Sequence, residues 1–263
     1  MSFSLVKKQL QKFKTILFIC KTIELITVLS LQFFKNKIIS SLKIIKLFFC
    51  YFKEYYRYNF INNRHLIIPF FSDKSCSGII NNSLWTYIKE LFLLLLYNNI
   101  IVYMIGTSLT FKKKFLLTSY TDNMVSNLYN LSSETVNFYS SFILFKEFIF
   151  LDYDYFYFFF NQYVTIYYQL VNYYLLRSLN EFLTLFFDNL NIIYNVYFFI
   201  VVMLLLDIME FNMYSELGSR ANSMSNSIQN SKENVKYFTL IYNRYRQARI
   251  TNEIIEIISS SNI

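Results

Sequence analysis

The amino-acid sequence predicts a mostly α chain of the α+β class. Two long terminal helices pair as an antiparallel coiled coil, with a small α/β insert between them. Three observations carry this. Residues 1–68 contain no Gly or Pro to break a helix. The C-terminal stretch holds an apolar heptad register over four repeats. Between the ends, two short apolar runs flank a helix-length segment, which is the size of a βαβ unit. The expected boundaries are residues 1–60, 61–190 and 191–263.

The first helix is expected over residues 4–60. Ile16, Ile19, Ile23 and Ile26 step by 3, 4 and 3 and so line one face, with Lys12, Lys14 and Lys21 mostly off that line. Residues 1–60 hold eleven Lys and Arg against Glu24 and Glu54, so this segment carries the whole excess of a chain whose net charge is +8. Such a segment suits nucleic acid, anionic lipid or an acidic protein surface. Residues 1–23 contain no acid, which also resembles a transit peptide. Nucleic-acid binding needs a basic patch on one face, yet Lys7, Lys8, Lys12, Lys14 and Lys21 are spread around the helix. No nucleic-acid partner is expected.

In the insert, Leu66–Phe71 suits a strand, although Pro69 weighs against it. Ser83–Tyr97 suits a helix, and Ile100–Ile105, ending at Gly106, a second strand. Residues 122–137 admit helix or loop. Phe142–Phe160 is so aromatic that periodicity does not discriminate.

The last helix carries the clearest pattern. Leu217, Ala221, Met224, Ile228, Ser231, Val235, Phe238, Tyr242 and Tyr245 alternate steps of 4 and 3 and form the predicted seam. Ala221 and Ser231 are small, which lets a partner helix approach closely. Lys236, Arg244, Arg246 and Arg249 lie between Asn234 and Asn252 without an acid. They fit either a solvated helix face or a surface that meets carboxylates, to which Arg binds in bidentate fashion.

Nothing supports self-contained catalysis. His65, just before a candidate strand, reads as structural. Cys20, Cys50 and Cys76 lie far apart, without metal-site spacing or a disulfide framework. The three glycines, Gly78, Gly106 and Gly218, cannot build a phosphate loop. Asp152 and Asp154 alternate with aromatics as strand charges would, and Lys112–Lys114 reads as a solvated loop. No catalytic residue, cofactor or metal is expected.

The composition is 55% hydrophobic and 21% aromatic, with one Pro, three Gly and only Ala221 and Ala248 as alanines. Average usage of ~7% Gly and ~5% Pro would predict roughly 18 and 13. Collagen-like, linker-like and disordered classes are excluded. The depleted residues need GC-rich codons, so a strongly AT-biased genome is implied, as in many organelles and some reduced bacteria. An alternative is a polytopic membrane protein spanning at 91–111, 155–176 and 189–206, which are uncharged over 21, 22 and 18 residues. Asn98-Asn99, Gln162 and Asn195 are among the polar residues that interrupt those windows.

Ser215-Glu216, Arg220, Met224, Ser227 and Asn230-Ser231, with Tyr242-Asn243-Arg244 and the run from Arg246 to Ile254, together resemble a known family, the gamma subunit of F-type ATP synthase. Ser215-Glu216, Arg220, Met224, Ser227 and Asn230-Ser231 fall where that family has Ser-Glu, Arg, Met, a small residue and Asn-Ala. Tyr242-Asn243-Arg244 and the run from Arg246 to Ile254 look like its signature Tyr-Asn-x-x-Arg-Gln-Ala-x-Ile-Thr-x-Glu-Ile. Near the N-terminus, Leu10, Phe13-Lys14 and the run Ile19–Thr27 resemble the family's first helix, with Lys21 and the apolar pattern surviving. Ser72, Asp73 and Gly78, within Ser72–Asn81, resemble its insert turn, though two family glycines are replaced by Ser75 and Ile79. Ile105-Gly106 and Phe111 resemble a further motif. Residues 120–200 show none.

The resemblance implies a central rotor shaft with a Rossmann-like insert. Its partners would be the alpha and beta subunits of the catalytic head, epsilon- and delta-type central-stalk subunits and the ring of c subunits. Membrane contact would be indirect, through that ring. Lys21, Ile23, Arg246, Gln247, Thr251 and Glu253 would be the rotor–stator contacts. Since the match begins within the first few residues, no cleavable presequence is expected. The implied location is peripheral, on the matrix side of the mitochondrial inner membrane, or on the cytoplasmic face of the plasma membrane of an AT-rich bacterium.

Overall fold

Long helices form at both ends, where residues 3–52 contain no Gly or Pro and residues 190–261 contain only Gly218. The computed structural model describes residues 3–52, 65–72, 80–94, 100–102, 136–149, 153–165, 168–179 and 190–261. In chain order the elements are α1 (Phe3–Phe52), β1 (His65–Pro69), α2 (Ile80–Leu94), β2 (Ile100–Val102), α3 (Phe138–Ile149), β3 (Tyr155–Tyr163), β4 (Gln169–Arg177) and α4 (Leu190–Ser261). The chain divides into two compact units, Met1–Val28 with Ala221–Ile263, and Leu29–Arg220.

The first unit is a helix pair. Phe3 stacks on Tyr242 at 5.1 Å and Phe13 on Phe238 at 5.3 Å. Moving up α1 means moving down α4, so the pairing is antiparallel. The isoleucine face read from the sequence is not the paired one. Ile16, Ile19 and Ile26 are 43%, 52% and 61% exposed, so their face looks outward, and only Ile23 is half-buried. The inward face is instead Phe3, Val6, Leu10, Phe13, Leu17, Cys20, Glu24 and Thr27, again in alternating steps of 3 and 4. The composition places apolar residues on both faces, so hydrophobicity alone does not select the seam.

The second unit is built on a four-stranded sheet of order β2-β1-β3-β4. β1 pairs in parallel with both β2 and β3, and β3 pairs antiparallel with β4. The β1-α2-β2 segment is thus the predicted strand–helix–strand unit. Pro69 lies past the last described rung to β2, Ile67 with Val102, and on the β3 side the next residue, Phe70, donates to the Phe159 carbonyl at 2.9 Å. The indeterminate aromatic stretch resolves into a helix and a strand. Asn137 caps α3: its Oδ1 accepts from Ser140 N at 2.9 Å, and its own N–H donates to Ser140 Oγ at 3.2 Å.

Side-chain alternation along β3 distributes the core. Phe156, Phe158 and Phe160 face a large cluster with Leu144, Phe145 and Phe148 of α3 and Val201, Leu204, Leu205 and Ile208 of α4. Phe159 faces a smaller cluster with Leu84 and Ile88 of α2. The layering is α/β/α. The 155–176 window is therefore a β-hairpin, closed by mutual backbone hydrogen bonds of Thr165 and Tyr168, and is no membrane-spanning helix. The 189–206 window opens α4, where Tyr197, Val201, Val202, Leu204 and Leu205 are buried in the large cluster. Residues 91–94 end α2 and 100–102 form β2; the rest of the first window lies outside the described residues. By length and composition alone α1 and α4 could each cross a membrane, but over half of the apolar window of α4 is buried within the protein.

Candidate functional site

The helix pair of the first unit presents two kinds of surface, an inner seam and an outer face. Along α4, Met224, Ile228 and Ser231 are buried, Ala221, Val235, Phe238 and Tyr242 are half-buried, and Tyr245 is 36% exposed. Leu217, in the second unit, is buried. Two rings of α1 cap the far part of this seam through the stacking of Phe3 and Phe13. Arg249 adds its guanidinium over the Phe3 ring at 5.9 Å, a cation–π contact.

The outer face carries the charge. Lys21, Arg246, Gln247, Thr251 and Glu253 are all exposed, while Ile23 is half-buried beside the seam. Arg249 pairs with Glu253 at 2.8 Å across one helical turn, and Thr251 donates to the Gln247 carbonyl at 2.9 Å. Both groups of the ion pair are solvated, so the pair adds little stability. Arg244 and Arg246 are also exposed. Beyond them Ile250, Ile254, Ile255, Ile257 and Ile258 leave an apolar end about half exposed. A cationic stretch followed by an apolar one suits docking against protein surfaces.

The insert turn is visible only at its first residue. Ser72 is buried; its N–H donates to Asn81 Oδ1 at 3.0 Å, and Asn81 Nδ2 donates to Ser72 Oγ at 2.9 Å. Asp73 and Gly78 lie outside the described residues, as do Cys76, Gly106, Lys112–Lys114 and Asp152. The Ser72–Asn81 pair ties the end of β1 to the first turn of α2.

His65 is 4% exposed and stacks on Tyr155 at 5.4 Å. Burial lowers its pKa below the ordinary value, and the Asp154 charge opposes this in part. A neutral imidazole packed between strands is a core residue. Among the described residues no three His, Cys, Asp or Glu side chains come together as a metal site would need.

Three relationships were not legible in the sequence. Lys37 of α1 reaches Glu210 of α4 at 2.7 Å. Tyr174 donates to Asp207 at 3.4 Å, and burial with that negative charge pushes the Tyr174 phenol pKa well up. Gln169 and Ser215 exchange hydrogen bonds at 3.2 and 3.1 Å. The last two join residues 33 and 46 positions apart, and no local pattern marks them. The α1 seam was readable as a second 3-4 register beginning at Phe3.

The family model described as ATP synthase matches residues 2–262. No curated protein matches by sequence. Among solved structures, the chain is similar to one in the Euglena gracilis mitochondrial ATP synthase, OSCP/F1/c-ring, with TM-score 0.72 and 14% identity, covering 99% of this chain and 93% of that one. It is similar to one in the Euglena gracilis mitochondrial ATP synthase rotor, with TM-score 0.69 and 13% identity over 94% and 98%. A third similarity is to the central stalk/c-ring structure of the Tetrahymena thermophila mitochondrial ATP synthase, with TM-score 0.63 and 16% identity over 79% and 98%.

Proposed function

The chain belongs to the ATP synthase gamma-subunit family, and from that membership we propose that it is the central-stalk rotor, coupling proton-driven rotation to conformational change in the catalytic beta subunits. The observation that carries this is the antiparallel pairing of the two chain ends, with Phe3 on Tyr242 and Phe13 on Phe238. Such a pair is a stiff element with a chemically uneven outer face. An uneven surface turning inside a ring biases each surrounding site in turn, which is how coupling free energy passes between distant sites.

The subunit itself is non-catalytic; the reaction belongs to the complex. The partners are the alpha and beta subunits of the head, epsilon- and delta-type stalk subunits, and the c ring. Lys21, Ile23, Arg246, Gln247, Thr251 and Glu253 are the rotor–stator contacts, a reading supported by the exposure of all but Ile23. The insert, residues 61–190, is Rossmann-like, a reading supported by its parallel β1-α2-β2 unit. The protein is peripheral, on the matrix side of the mitochondrial inner membrane. The mitochondrial setting is supported by the origin of the similar structures.

Affinity purification through a tag on this chain tests the proposal. Alpha, beta and c subunits are expected in stoichiometric amount. Recovery of the chain alone from carbonate-washed membranes, without head subunits, would overturn it.

A further inference from the structure

We propose that β4 is a torsion strap, pinned along α4, that carries rotation from the insert into the shaft helix; this rests on the rotor reading above. Three polar rungs tie strand to helix. Gln169 and Ser215 exchange hydrogen bonds at one end, Tyr174 bonds Asp207 in the middle, and Tyr197 donates to the Arg177 carbonyl at 2.8 Å at the other end. The order is antiparallel, and the lengths agree. Gln169 to Arg177 spans roughly 26 Å of strand, and Tyr197 to Ser215 spans roughly 27 Å of helix. Strand and helix are thus commensurate over the whole strap.

The Gln169 end is reinforced by shape. Gly218 is buried, and a Cβ built there would fall well inside contact distance of the Tyr163 ring. That ring also meets Tyr214 edge-on at 5.1 Å. Tyr163 is therefore a ring seated against Gly218, where any added side chain would have to displace it. The apolar core under the sheet resists separation of the layers, and hydrophobic contact by itself adds no directional preference. Directional hydrogen bonds and a seated ring fix the angle. Gln169, Ser215, Tyr163 and Gly218 are accordingly positioning residues for rotation.

The test is single-molecule rotation of the assembled ATP synthase, with the head immobilised and a bead on the insert. Gln169→Ala, Ser215→Ala and the double variant Gln169→Ala with Tyr163→Ala are compared with Ser215→Thr, which keeps the hydroxyl. Loss of each hydrogen bond raises the open fraction of the rung roughly fivefold. Angular variance of the bead at stalled positions is expected to rise in the alanine variants, most in the double, and to return in Ser215→Thr, with ATP hydrolysis per complex unchanged. Unchanged variance in the alanine variants overturns the strap. If the double variant does not assemble, the single variants decide. A wild-type bead that fails to turn with ATP would instead overturn the rotor reading.

Discussion

The ammonium of Lys37 lies 2.7 Å from the carboxylate of Glu210, one group from each long helix, with the Glu210 side chain 2% and the Lys37 side chain 37% exposed. A buried carboxylate is tolerated here because a cation with access to water meets it. Among the described residues Glu210 Oε2 has no hydrogen-bond partner. A buried pair of this kind is weak evidence for stability but a strong constraint on register.

Lys37→Met should destabilise the second unit by about 2 kcal/mol, since a buried charge is left uncompensated. The double variant Lys37→Met with Glu210→Met should recover most of that. Amide hydrogen exchange of α4 around Glu210 reads both. Equal losses in single and double variants would show that the pair is not what protects this turn.

Ile228→Ala should cost about 2–4 kcal/mol, because it empties a buried seam position. Ser231→Leu should cost about 1–3 kcal/mol by overfilling one. Exchange protection of α1 residues 6–27 is the measurement. Fast exchange confined to α4 in either variant would mean the helices do not rely on this seam.

Arg246→Ala and Gln247→Ala should leave stability within about 0.5 kcal/mol of wild type, as both side chains are exposed. Protons pumped per ATP hydrolysed in the assembled complex should fall. An unaltered ratio would remove these residues from the rotor–stator contacts.

The pH dependence of stability should carry the signature of His65. Its folded pKa lies below the ordinary value of 6.5, because burial disfavours the imidazolium. As pH falls, the unfolded chain takes up the proton first. Stability is therefore full above 6.5 and declines between there and the lower folded value. His65→Phe should flatten that part of the unfolding profile. The same slope in variant and wild type would assign it to other groups.

Much of the architecture was legible because helices are local. The register from Leu217 to Tyr245 survives a biased composition, since Asn, Ser, Lys and Glu separate its apolar positions. In α1 the intervening positions include Leu5, Ile16, Phe18, Ile19, Leu25 and Ile26, so two faces compete and Ile16, Ile19 and Ile26 suggest the outer one. The hairpin was hidden for a related reason. Tyr155–Tyr163 is aromatic on both sides because α2 covers one face of β3 and α3 with α4 the other, so no alternation remains to be seen. The Gln169–Ser215 rung joins residues 46 apart in sequence and depends on tertiary packing alone.

Gly218 acquires a meaning in codon space. Any single-base change that replaces a glycine yields a residue with a Cβ, and at this position that atom collides with Tyr163. A genome drifting toward A and T can empty loops of glycine by accepting Ser or Asn, yet here every such step is met by steric selection. A replacement at this site must therefore displace the Tyr163 ring or come with a change of residue 163.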